Sequence, residues 1–132
     1  VLKNGASITH VELPQASSAM VGSEQKLRQR EAWDFPEGGV AFAIQVDVKG
    51  NISGLNMAST GFESVPRSHK DLVGSIDMGV EWGLEAKRLG AELKRTVRPV
   101  LNTWFPPSYR KKMASVLAKR AMEEAANRVT SA

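Results

Sequence analysis

Val40, Phe42, Ile44, Val46 and Val48 alternate with Ala41, Ala43, Gln45 and Asp47, and no other stretch of this chain limits its fold as tightly. Side chains of a strand point alternately to opposite faces, so this pattern makes one apolar face and one smaller, more polar face. Gly50 and Asn51 follow, both tolerant of positive φ, and Val48-Lys49-Gly50-Asn51-Ile52 therefore reads as a tight hairpin. The return strand is expected from Ile52 to about Ala58, with Gly54 marking a bulge. The apolar face of strand 40–48 would pack on helices as the core. The face with Ala41, Ala43, Gln45 and Asp47 is small and flat, which suits a homodimer surface.

Around this hairpin the remaining elements fall into place by local signals. Ser7 to Leu13 reads as a short strand stopped by Pro14. Residues 17–33 are rich in helix formers (Glu24, Gln25, Lys26, Leu27, Arg28, Gln29, Arg30) and predict a helix, ended by Asp34-Phe35-Pro36-Glu37-Gly38-Gly39. Phe62 to Val65 reads as a third short strand before Pro66. Ser68-His69-Lys70-Asp71 resembles a capping box and opens a long helix, which Pro99 would stop near Arg98. Trp82, Ala86, Leu89, Leu93 and Val97 recur along it at helical spacing, which makes Trp82 a core residue. Gly79, Gly83, Ala86 and Gly90 form a second stripe, expected to admit another backbone at close range, with a hinge as the alternative. Asn102 to Pro107 is a rigid connector, Ser108 an N-cap, and Met113, Val116, Leu117, Ala121, Ala125 and Val129 the apolar stripe of a last helix. The order β-α-β-β-(β)-α-α makes this an α+β chain with its helices at the C-terminal end.

At 132 residues the chain is long enough for one core, and it reads as a single domain over 1–132 with a basic helical half from about 67 to 132. With 42% apolar and 24% charged residues it is of globular composition. There is no cysteine, so no disulfide framework or thiolate metal site is available, and a reducing compartment is compatible. No apolar run reaches the length of a membrane span, and Val1-Leu2-Lys3-Asn4-Gly5 lacks the apolar core of a signal peptide. A location in the cytoplasm or inside a virion is expected.

Charge is distributed unevenly. Between Lys87 and Arg120 stand ten cations (Lys87, Arg88, Lys94, Arg95, Arg98, Arg110, Lys111, Lys112, Lys119, Arg120) against the single anion Glu92, whereas residues 1–66 carry five cations and seven acids. Arg110, Lys111 and Lys112 occupy the first turn of a helix, where the macrodipole favours acids, a misfit that bound phosphates would relieve. A solvated basic face accounts for the pattern equally well, and Glu81, Glu85 and Glu92 would absorb part of the charge in pairs along the helix. Trp104, beside prolines and this basic turn, is the aromatic residue placed to contact a ligand. No catalytic or metal-binding spacing is present: His10 and His69 stand apart, and no glycine run has a following Lys-Ser/Thr. The expectation is a protein with no catalysis and no cofactor, binding phosphate backbones by shape and charge. A protein–protein module docking an acidic partner and, more weakly, an enzyme on a phosphorylated substrate are the alternatives.

The order helix 17–33, the Pro/Gly turn 35–39, strands 40–48, 52–58 and 62–65, and a helix from Ser68 resembles the double-stranded-RNA-binding domain. In that family a lysine-rich motif opens the last helix and contacts phosphates. The resemblance implies that role for Arg67 and Lys70, with His69 beside them, although Asp71 follows directly. Arg110-Lys111-Lys112, followed by Ala114, Ala118 and Ala121, is the more lysine-rich helix start. Size and basic C-terminal helices also resemble the small assembly and packaging cofactor in the cores of cystoviruses. That likeness implies capsid assembly, genome packaging or polymerase regulation, with RNA and viral core proteins as partners and no membrane.

Overall fold

The computed structural model describes residues 5–49, 51–75 and 82–130. Four strands, β1 (Val21–Leu27), β2 (Gly38–Val46), β3 (Ile52–Thr60) and β4 (Arg67–Ser68), form one antiparallel sheet in the order β1-β2-β3-β4. The helices are α1 (Lys70–Gly74), α2 (Trp82–Thr96) and α3 (Pro107–Thr130), and a short 3-10 turn spans Gln15–Ala19. α3 lies across β1 and β2, α2 packs on α3, and α1 packs beside β3. This is the expected α+β fold, with its helices C-terminal to the sheet.

The β2–β3 hairpin follows from its alternation. Val40, Phe42 and Ile44 are buried on β2, and Ile52, Leu55 and Met57 on β3. Gln45 pairs with Gly54 but Val46 pairs with Ile52, so Ser53 is the extra residue of a bulge beside the glycine that signalled it. Pairing ends at Val46, not Val48: the Asp47 carboxylate accepts the amides of Lys49 (2.8 Å) and Asn51 (2.9 Å) and draws the chain into a turn. Val48 is therefore fully exposed. Gly50, on which the turn was read, lies outside the described residues.

On the helices, Ala86, Leu89, Leu93, Val97, Ala114, Leu117, Ala118, Ala121, Met122 and Ala125 complete a single buried cluster with the sheet, and Trp82, Met113 and Val129 pack against it. Alanines along α3 let its axis come close to both neighbours. Gly90 does the same from α2, since a Cβ there would stand 2.9 Å from the backbone oxygen of Ser115. The small-residue stripe is thus close packing at Gly90; Gly79 lies outside the described residues.

Several expected elements are absent or different. Residues 17–33 are not helical: β1 runs through them, with Ser23 and Leu27 buried and Gln25 half-buried on one face, and Glu24 and Lys26 exposed on the other. The inward polar residues are satisfied by α3, as Ser23 Oγ (2.8 Å) and Gln25 Nε2 (2.7 Å) both donate to Glu124 Oε2. Pairing with β2 and this cross-layer contact outweigh a helix propensity worth a few tenths of a kcal/mol per residue. Residues 7–13 and 62–65 form no strand. Gly61 instead takes φ +74, with its chain so close to Pro36 and Gly38 that a Cβ would sit 2.9 Å from the Pro36 oxygen. The helix from Ser68 is short: α1 ends at Gly74, without a side-chain cap at His69. α3 opens at Pro107, a residue well suited to a first helical turn, and not after a Ser108 cap.

Candidate functional site

Arg110, read from sequence as a phosphate contact, is completely buried. Its Nε donates to the Glu37 carbonyl (2.7 Å), one terminal nitrogen to the Val100 carbonyl (2.6 Å) and Asn102 Oδ1 (3.2 Å), and the other to the Gly61 carbonyl. Five N–H groups in a planar fork make arginine the one side chain able to tie these three loops together. Burial pulls its pKa below that of free arginine, against the opposing charge of Glu37, whose Oε2 stands 3.9 Å from Nε. Its place at the start of α3 therefore has nothing to do with binding an external phosphate.

The segments that Arg110 joins form the two walls of a cleft of about 920 Å³, lined by Gln29, Arg30, Asp34, Phe35, Glu37, Asn102, Thr103 and Trp104. One wall is the loop after β1. There Asp34 accepts the amides of Gln29 (3.1 Å) and Arg30 (3.0 Å) through Oδ2, and of Phe35 (2.9 Å) through Oδ1. The Arg30 amide is the main reason the Asp34 carboxyl lies below its usual pKa, with partial burial opposing. The Glu37 amide returns the chain to the sheet by donating to the Leu27 carbonyl (2.8 Å). The other wall is the connector between α2 and α3.

Two features distinguish this cleft. Its lining includes large aromatic side chains left in solvent: Phe35 is 86% exposed and Trp104 83%. Within it, Glu37 Oε2 and Thr103 Oγ1 are buried without a hydrogen-bond partner. Buried polar atoms are nearly always hydrogen-bonded, so these two need a partner that the described residues do not supply. Trp104 was singled out in the sequence through its neighbours; Phe35, Glu37 and Thr103 carry no local signal.

The other basic residues read as an RNA surface fall mostly into two grooves, and five of them are engaged within the chain. Arg67 pairs with Glu63 (3.2 Å), Arg88 with Glu85 (2.7 Å), Arg95 with Glu92 (3.1 Å) and Lys119 with Glu123 (3.5 Å). Arg98 turns back on the carbonyls of Arg95, Thr96 and Val97 at the end of α2. Arg67, Lys94, Arg95, Arg98 and Lys111 line one open groove, while Lys87, Lys119 and Arg120 line another. Lys70 and Lys112 are exposed and belong to neither. His69 is buried beside Ser59, whose Oγ lies 2.8 Å from its Nε2. Burial, helped by Arg67 and opposed by Glu63, holds its pKa below the usual histidine value.

No known family's sequence profile matches the chain. Solved structures do match, over most of its length. A Cu,Mo-containing CO dehydrogenase in its cyanide-inactivated form superposes with a TM-score of 0.73 and 22% identity, covering 83% of this chain and 38% of that one. The fold is one found in redox enzymes. Reconstituted CO dehydrogenase from Oligotropha carboxidovorans gives a TM-score of 0.73 at 18% identity, covering 89% of this chain and 40% of the other. Quinoline 2-oxidoreductase from Pseudomonas putida 86 gives 0.72 at 13% identity, covering 83% and 38%. The chain thus spans about two fifths of the length of the proteins it matches.

These likenesses overturn the functional expectations drawn from charge. A non-catalytic, RNA-associated viral core factor, with RNA, viral core proteins or a second copy as partner, is replaced by a fold shared with oxidoreductases. The order that carried the likeness to the double-stranded-RNA-binding domain is also absent, because β1 stands where its first helix was expected. Among the described residues no helix is long and apolar enough to cross a membrane.

Proposed function

We propose that this chain is a domain of an oxidoreductase, in which it supports catalysis by docking against other protein and not by holding the redox metal. The observation that carries the reading is the fold likeness, at TM-scores of 0.72 to 0.73, to CO dehydrogenase and quinoline 2-oxidoreductase chains. A fold can host unrelated functions, so the chain's own residues must decide its share of the work. No group of three His, Cys, Asp or Glu among the described residues is placed to hold a metal ion, and the sequence has no cysteine. The residues do not fit a copper site, and the metal chemistry is assigned to protein outside them. What the domain offers is a cleft with exposed aromatic side chains and unpaired polar atoms, the kind of surface that a neighbouring protein covers. The cysteine-free sequence suits the cytoplasm.

The test is to isolate the tagged chain from the cells that make it, then measure molybdenum content and dye-linked dehydrogenase activity across the gel-filtration profile. The reading expects the chain to elute in a larger assembly with molybdenum and activity in constant proportion to it. Elution of the whole population as a small, molybdenum-free and inactive species would overturn it.

A further inference from the structure

We infer that the cleft between the loop after β1 and the α2–α3 connector takes an arginine side chain presented by a partner protein. The inference rests on the oxidoreductase reading only in taking the occupant to be protein. Three observations specify the residue. Phe35 and Trp104 line the cleft with almost their whole ring surfaces free. An aromatic face attracts a cation, and the weakly hydrated, planar guanidinium stacks on it better than an ammonium.

The carboxylate supplies the second observation. The Glu37 side chain is only 7% exposed, and its Oε2 accepts no hydrogen bond. Arg110 stands near it at 3.9 Å but spends its Nε–H on the Glu37 carbonyl, so Oε2 has a neighbouring charge and still lacks a donor. The third observation is Thr103 Oγ1, an unpartnered hydroxyl oxygen on the opposite wall. A guanidinium entering the cleft would bring several N–H groups toward both atoms, where a single ammonium is a point donor. Arg30 does not fill this role, since its charge is directed to Asp34 at 3.4 Å. Large aromatics framing one charged contact are the usual make-up of an interface centre.

The probe is a blocked tripeptide, acetyl-Gly-Arg-Gly-amide, titrated into the isotope-labelled full chain while the indole N–H signals are followed by NMR. Peptides with lysine or citrulline at the centre are the controls, citrulline having the same shape without the charge. The arginine peptide is expected to shift the Trp104 indole signal saturably, with both controls at least about tenfold weaker, a difference of roughly 1.4 kcal/mol. Trp104→Ala, which removes only an exposed ring, should abolish the response, and Glu37→Gln should weaken it at least as much as the citrulline exchange does. No saturable shift with the arginine peptide, or an equal shift with citrulline, overturns the inference. Because the titration uses the chain alone, its failure leaves the oxidoreductase reading standing. A failed co-elution, in turn, leaves the cleft's affinity for arginine measured in its own right.

Discussion

The two ends of α3 are both fastened to the sheet by charged side chains, but in opposite physical settings. At the N-terminal end Arg110 is wholly enclosed and donates to acceptors from Glu37, Gly61, Val100 and Asn102. At the C-terminal end Glu124 receives Ser23, Gln25 and Arg128, while Arg128 also reaches the Gly22 carbonyl (2.6 Å), all on a half-exposed surface. Water can replace any lost partner at the second end and none at the first. The buried end therefore organises three loops and the cleft they form, whereas the exposed end only aligns a helix on an edge strand.

Breaking the buried end is expected to give the largest effect. Arg110→Ala would leave the Glu37 charge and several carbonyls enclosed without donors, costing about 3–5 kcal/mol by analogy with other broken buried pairs. Urea unfolding measures this, and a loss below about 1 kcal/mol would mean that water reaches the site. Where α2 crosses α3, Gly90→Ala would press a methyl group on the Ser115 backbone oxygen, which cannot swing aside as a side chain does. A loss of about 1–3 kcal/mol is expected from the same unfolding curves. An unchanged midpoint would show that α2 and α3 can separate freely.

The smallest effect is expected at the exposed end, and it should depend on pH. The hydrogen bond from Ser23, then that from Gln25, holds the Glu124 carboxyl below its ordinary value of 4.5. A carboxyl depressed in the folded state contributes stability above its unfolded pKa and loses it as pH falls through the folded one. Stability from Glu124 is thus complete at neutral pH and disappears below pH 4.5, and Glu124→Gln should remove that part of the acid dependence. Matching urea midpoints at neutral and acid pH in wild type and variant would refute the assignment. A Glu124 variant as costly as Arg110→Ala would erase the contrast between the two ends.

The same contrast explains what could be read from sequence. The β2–β3 hairpin was legible because its signal is local, apolar alternation from Val40 to Ile44, whereas the part Asp47 plays in the turn was not read. α3 was legible too, since Leu117, Ala121 and Ala125 recur at the helical period. β1 was not, because its inward positions hold Ser23 and Gln25, whose partner Glu124 lies about a hundred residues away. Within residues 87–120 the pairing with nearby acids was legible, since Arg88 meets Glu85 and Arg95 meets Glu92 as the helical spacing implied. What charge did not indicate is that Arg98 turns to the carbonyls just before it and that Arg110 is enclosed.

The sequence by itself determined the fold class, the central hairpin and the last helix, each specified by side chains close together in the chain. Only the tertiary structure decided that residues 21–27 are a strand, that Arg110 is enclosed, and that Phe35, Glu37, Thr103 and Trp104 share one cleft. The reason is one of range: periodicity and turns follow from neighbours along the backbone. The environment of a polar side chain depends on groups that meet it only after folding, here up to 73 residues from Arg110.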